Sequence, residues 1–179
     1  MLTIRHADTS HLPAILDIYN DAIANTTAVF ISQTVNLQNR AEWLLSRQSA
    51  GFPVLVLTEG DELLGYASYG AFRAFECYKH TAELSIYIAG HARGKGAGNL
   101  LMHALLDHAA GNNIHVLIGA IEAENTASLR LHEKHGFTQT GLLPQVGRKF
   151  DRWLDLVLMQ RIITPRYELH KTAKHAERA

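Results

Sequence analysis

The sequence predicts an α+β fold, a mixed and mostly antiparallel central sheet flanked by helices. Three observations carry that expectation. The elements run β, two helices, three strands, helix, strand, helix, two strands, which is neither a regular βα alternation nor a bundle. The acidic turn Gly60-Asp61-Glu62 separates two strand-like runs and joins them as an antiparallel hairpin. A single β-helix-β unit, from the strand at 82–88 to the strand at 115–121, adds one parallel pair.

Each element has its own signal. Residues 2–6 alternate as a first strand. A helix follows, with Leu12, Ile15, Leu16, Tyr19, Ala22 and Ile23 on one apolar face. Ser10 is its expected N-cap, and Pro13 is tolerated because it falls in the first turn. A second helix is expected over 38–50, where Leu37, Ala41, Leu44, Leu45 and Gln48 share a side. The hairpin strands lie at 53–58 and 63–70. At 82–88, Ala82, Leu84, Ile86 and Ile88 face one way and Glu83, Ser85 and Tyr87 the other. An amphipathic helix covers about 97–111, with Ala97, Leu100, Leu101, Ala104, Leu105, His108 and Ala109 on its stripe. After the apolar strand 115–121, a helix is capped by Asn125 and ended at Gly136. Strands near 137–143 and 152–160 follow. With no internal repeat or linker, residues 1–164 read as one domain and the polar stretch 165–179 as a tail expected to fray.

Composition narrows the function classes. A chain of 179 residues is long enough to bury a real core, and 47% of it is hydrophobic. Seventeen basic residues balance seventeen acidic ones, so no global field draws the protein toward nucleic acid or anionic lipid. No basic stretch followed by an apolar run opens the sequence, and no apolar run approaches the roughly 20 residues needed to span a bilayer. Cys77 is alone, which excludes an internal disulfide and suits a reducing cytoplasm.

The most informative stretch is Arg93-Gly94-Lys95-Gly96-Ala97-Gly98, at a strand-to-helix junction. Glycines at alternate positions let backbone N–H groups turn inward toward an anion, and the helix N-terminus adds partial positive charge at the same spot. Such a loop suits a phosphate or pyrophosphate. Its spacing is neither the dinucleotide fingerprint nor a Walker A loop, and the glycines alone are also compatible with a plain flexible turn. Glu83 is a carboxylate on the polar face of an otherwise apolar strand, a sensible general base for an amine, which must lose a proton before it can attack. It could equally be a strand-edge glutamate paired with a lysine. The loop Phe72-Arg-Ala-Phe-Glu-Cys-Tyr-Lys-His80 mixes aromatic and basic side chains; there Arg73 could grip a carboxylate while Phe75 and Tyr78 cover an apolar group. His132-Glu-Lys-His135 is one residue short of the zincin spacing and no cysteine cluster supports it, so no metal is expected.

The chain resembles the GNAT superfamily of acetyl-CoA-dependent N-acetyltransferases. Arg93, Gly96 and Gly98 match its Gln/Arg-x-x-Gly-x-Gly/Ala signature, and the run from Asn125 to Gly136-Phe137 matches a second pattern. Asn25-Thr-Thr-Ala28, Gly65-Tyr-Ala-Ser-Tyr-Gly70, Thr81-Ala-Glu-Leu-Ser-Ile-Tyr87 and the segment Pro144 to Asp155 are similar to the phosphinothricin acetyltransferase group. Within that group the likeness is greatest to bacterial enzymes acting on methionine sulfone and methionine sulfoximine. The resemblance implies a GNAT fold, acetyl-CoA as co-substrate and a free amino-acid analogue as acceptor. It further implies a cytoplasmic homodimer and direct transfer in a ternary complex, a detoxification-type activity. It assigns catalysis to Glu83 and to His132, which stands where many superfamily members carry a proton-donating tyrosine. It assigns the cofactor to Ile86, Tyr87, Ile88, Arg93, Gly94, Lys95, Gly96, Ala97, Gly98, Asn99, Asn125 and Lys134. For the acceptor it implies Arg73, Ala74, Phe75, Glu83, Leu84 and Ser85, with Arg148, Lys149 and Trp153 arriving from a partner subunit. Two rivals stay open: an acetyltransferase of protein N-termini, lysines or polyamines, and a regulatory domain that binds acyl-CoA without turnover.

Overall fold

The computed structural model describes residues 1–163; the expected domain end at 164 and the tail 165–179 lie outside the described residues. Strands β1 (Leu2–His6), β2 (Val54–Glu59), β3 (Glu62–Ala71), β4 (Thr81–Ile88), β5 (Val116–Glu122), β6 (Thr138–Lys149) and β7 (Arg152–Ile162) form one sheet in the order β1-β2-β3-β4-β5-β7-β6. Only β4 and β5 pair in parallel; every other neighbour is antiparallel. The reason is the connection: α3 (Ala97–Gly111) carries the chain from β4 back over the sheet, as a parallel pair requires.

Each face of the sheet has its own helices. Alternation turns Ala82 and Leu84 of β4 and Leu117 and Ile121 of β5 toward α3, where they pack with Leu101, Met102, Leu105 and Ala109. The opposite face presents Val54, Val56 and Tyr66 to Leu12, Ile15 and Ile18 of α1 (Leu12–Asn25) and Leu44 of α2 (Leu37–Ser49). Burying a leucine or isoleucine of this kind contributes about 1.5–3 kcal/mol. The remaining helix, α4 (Thr126–Lys134), is capped by Asn125, whose side chain accepts from the Ser128 N–H at 3.1 Å, as expected.

Several local expectations need correction. Asp8, not Ser10, does the capping: its carboxylate accepts from the Ser10 N–H at 2.9 Å and starts a short 3-10 turn ahead of α1. Asp8 stands two residues earlier and serves that turn, while α1 itself starts from His11 without a side-chain cap. The apolar stripes are also shifted. Ile18 and Met102 are buried, whereas Leu45 and Leu100 face solvent, because each helix meets the sheet along a narrower strip than its apolar residues could cover. Strand β6 runs on to Lys149, well past 143. Pro144 and Gly147 look like strand breakers, but β6 is the sheet's edge, where a missing N–H costs nothing, and its register shifts around them. The hairpin then closes through Phe150 and Asp151, both at positive φ (49° and 57°), with Lys149 opposite Arg152.

Candidate active site

The pairing of β4 with β5 stops at Leu84 opposite Gly119. Beyond that row the two strands part, while β4 stays paired with β3 as far as Ile88. The freed edges of β4 and β5 become the walls of a cleft of about 790 Å³. Leu84, Ser85, Ile86, Tyr87 and Ile88 line one side, and Gly119 to Glu122 the other. The glycine loop and the start of α3 close one end through Arg93, Gly94, Gly96, Ala97, Gly98 and Asn99. Asn125, His132 and Lys134 of the α4 region border it as well. Lys95, Glu83, Arg73, Ala74 and Phe75 lie off this lining, as do Arg148, Lys149 and Trp153 of the β6–β7 hairpin.

The glycine loop is shaped by its backbone. Gly94 and Gly96 sit at φ +74° and +89°, a region that L side chains rarely adopt, and Gly96 is the N-cap of α3 without a side-chain cap. The first N–H groups of a helix have no partner within it, so this terminus offers donors and partial positive charge to the cleft. The side chain of Arg93 is engaged elsewhere: Nη2 meets Asp21 of α1 at 3.1 Å and Nε donates to the Ile88 carbonyl at 3.2 Å. Arg93 therefore pins the loop to α1 and β4, and the anion-binding capacity rests on main-chain groups.

Two side chains flank the row where the strands part, one on each face. Glu83 points to the α1–α2 face and is half-buried. Burial raises the pKa of its carboxyl above the ordinary range, and the charges of Arg73 and then Arg47 oppose that rise. Its register partner on β3 is Gly70, and the guanidinium of Arg47, from the last turn of α2, lies directly on that glycine: a β-carbon there would coincide with Nη1. Arg73 is exposed, donates Nη1 to the Phe72 carbonyl at 3.1 Å and stacks over the Phe72 ring. Phe75 is 76% exposed.

On the other face, the ring of His132 lies over Gly119, where a β-carbon would fall 2.6 Å from Nε2. The ring is buried against Phe137, and its Nδ1–H donates to the Ser128 carbonyl at 2.8 Å. A carbonyl can only accept, so Nδ1 carries the proton and Nε2 keeps its lone pair. Burial lowers the pKa of His132, so the ring is neutral near pH 7. Nε2 is buried without a hydrogen-bond partner among the described residues. A neutral imidazole of this tautomer has to accept a proton before it can give one.

Sequence reasoning missed Glu122, a carboxylate only 4% exposed at the cleft wall. It accepts from the Thr27 hydroxyl at 2.8 Å and the Glu124 N–H at 3.1 Å, and so holds the segment after α1 against β5. Its one signal was a charge closing an apolar strand. Lys149 overturns an expectation: it is buried, with Nζ donating to the Val29 carbonyl at 2.7 Å, so it is not free to serve a partner subunit's acceptor. Arg148 and Trp153 are exposed on the same hairpin, the guanidinium 5.8 Å from the indole centroid. His135 lies 3.2 Å from the Asn99 side chain, and Cys77 is an exposed free thiol. Among the described residues no group of three or more His, Cys, Asp or Glu could hold a metal ion.

A sheet that parts at a glycine-rich loop over a helix N-terminus is the frame of one family, and residues 15–137 match it: the acetyltransferase (GNAT) family. The chain belongs to that family. It is 47% identical over 164 residues to the L-methionine sulfoximine/L-methionine sulfone acetyltransferase of Pseudomonas paraeruginosa, covering 91% of this chain and 95% of that one. It is 34% identical over 161 residues to the phosphinothricin N-acetyltransferase of Streptomyces coelicolor, covering 88% and 94%. Among solved structures, a ribosomal-protein-alanine N-acetyltransferase from Brucella melitensis superposes with a TM-score of 0.88 at 51% identity, over 89% and 99% of the two chains. A Salmonella typhimurium acetyltransferase with its cofactor acetyl-CoA superposes at 0.89 with 44% identity, over 91% and 94%. This GNAT chain is an acyltransferase, and among its described residues no helix is long and apolar enough to cross a membrane.

Proposed function

We propose that this acetyltransferase uses acetyl-CoA to acetylate the α-amine of a small amino acid or analogue, with methionine sulfone, methionine sulfoximine and phosphinothricin as the leading acceptors. The cleft fits the co-substrate: its glycine loop and helix terminus suit a pyrophosphate, and its freed strand edges suit an extended amide chain. Asn125 and Lys134 border the same space. Acetyl-CoA supplies the activated thioester carbonyl. Glu83 takes the ammonium proton from the α1–α2 face. His132, neutral on the far face, takes the nitrogen's next proton and returns it to the departing sulfur. No acyl-enzyme is required, and Cys77 stays a bystander.

One observation carries the choice of acceptor. The Arg47 guanidinium lies on Gly70, the register partner of Glu83, and with Arg73 it opposes the rise that burial causes in the pKa of the Glu83 carboxyl. A zwitterion sets a carboxylate one carbon from its amine, and cationic charge beside the base suits it. A polyamine carries only positive charge and is disfavoured there. Exposed apolar residues of the β6–β7 hairpin, Leu142, Leu143, Val146, Phe150 and Trp153, support a homodimer through this hairpin. A single catalytic unit in the cytoplasm completes the reading. The 51% identity to the Brucella melitensis structure favours a second reading, a peptide beginning with alanine as acceptor.

Thiol release from acetyl-CoA over a panel of amines separates these readings. Methionine sulfone, its sulfoximine or phosphinothricin is expected to give the highest kcat/KM. Plain methionine is expected about tenfold or more below them, since a buried donor left unpaired costs about 1–3 kcal/mol. Highest turnover of an alanine-initiated peptide or of spermidine sinks the amino-acid reading, and thiol release from none of them favours the non-catalytic binder.

A further inference from the structure

We infer that Arg47 is the residue that anchors the acceptor's α-carboxylate, and that Gly70 is a glycine so that it can. The inference rests on the amino-acid reading and assigns a contact within it. Arg47 leaves the last turn of α2 and lays its guanidinium on the backbone of Gly70, with Nη1, Cζ and Nη2 all inside the space a side chain would take. Gly70 is the register partner of Glu83, so the residue the guanidinium rests on and the proposed base stand side by side on adjacent strands, their α-carbons roughly 5 Å apart. That separation suits an α-amino acid, whose amine and carboxylate branch from one carbon. Arg47 is half-buried, and its Nε is buried with no hydrogen-bond partner among the described residues. No ion pair joins it to Glu83 or to another carboxylate among the described residues.

A desolvated guanidinium without a carboxylate is a costly arrangement unless an anion arrives to complete it. Arg73 fits the role less well, since it is exposed, bonded to its neighbour's carbonyl and stacked on Phe72. Arg47 is held by a helix against a strand, with its guanidinium already laid on the Gly70 backbone. Its planar fork also matches a carboxylate through two parallel hydrogen bonds.

The test splits the acceptor into its two charges. Competitive inhibition of methionine sulfone acetylation is measured with the desamino analogue 4-(methylsulfonyl)butanoate and the descarboxy analogue 3-(methylsulfonyl)propylamine. Arg47→Gln is expected to weaken the carboxylate analogue roughly tenfold to a hundredfold and leave the amine analogue nearly unchanged. Arg47→Lys should fall between, since it keeps the charge and loses the fork. Gly70→Ala, which pushes the guanidinium aside, should reproduce the pattern and covers the case in which Arg47→Gln does not fold. Equal weakening of both analogues, or of neither, overturns the assignment while the amino-acid reading stands. Failure of wild-type enzyme to acetylate any free amino acid sinks that reading instead.

Discussion

The two faces of the sheet beside the cleft are built by the same device and charged differently. On the α1–α2 face a strand glycine, Gly70, lets the Arg47 guanidinium lie flat on the backbone. On the α3–α4 face another, Gly119, lets the His132 ring do the same. The first side chain is a permanent cation with no ion-pair partner among the described residues. The second is an imidazole kept neutral by burial, while its bond to the Ser128 carbonyl pulls the other way and fixes which nitrogen carries the proton. The proposed mechanism accounts for the difference: a zwitterion needs fixed charge to hold it, whereas a proton passing between nitrogen and sulfur needs a group that can change its charge.

The sharpest way to break this comparison is to remove the proposed base, Glu83, from the α1–α2 face. Glu83→Gln keeps the shape and loses the proton acceptor, so kcat is expected to fall roughly 10²–10⁴-fold while acetyl-CoA affinity, measured by calorimetry, stays put. Retained kcat would move the base elsewhere, with the buried Glu122 next in line. A smaller loss is expected on the far face. His132→Asn should reduce kcat about tenfold or more, at or below the low end of general acid–base contributions, because water in an open cleft can stand in for part of a relay. If His132 served only as packing, the variant would lose thermal stability and leave kcat per folded molecule unchanged.

The mildest effect is on pH dependence. Burial raises the pKa of Glu83, so the acid limb of kcat/KM should lie above the range of an ordinary glutamate, with activity appearing as pH rises and the base ionises. His132 must be neutral to accept, and burial lowers its pKa, so any limb it contributes moves to the acid side, away from neutrality. Arg73→Ala removes the largest charge that holds Glu83 ionised and should move the acid limb to higher pH. Because Arg73 is exposed, added salt should narrow the gap between variant and wild type. An acid limb that ignores Arg73 would mean that Glu83 titrates apart from the acceptor loop.

Much of this was legible before any fold was in hand, and the reason is locality. Alternation of two and a period near 3.6 place β4 and α3 within a residue of their observed bounds, since burial of one face is written along a single stretch. The glycine loop is legible for the same reason: a helix N-terminus reached through residues at positive φ is a property of six consecutive positions. What sequence reading lost was nonlocal. Strand β6 looked broken at Pro144 because nothing in the stretch says that it lies at the sheet's edge. Lys149 looked like a free cation because the Val29 carbonyl it serves is 120 positions away.

The sequence by itself determined the sheet-and-helix class, the family and the backbone anion site, all of which depend on neighbours along the chain. Tertiary structure alone decided which side chains come together around Glu83. Arg47, Gly70 and Glu83 come from a helix and two strands, and their closeness depends on how α2 lies across the sheet and on the register of β3 against β4. A shift of one residue in that register would turn Gly70 to the other face and leave Arg47 no backbone to rest on.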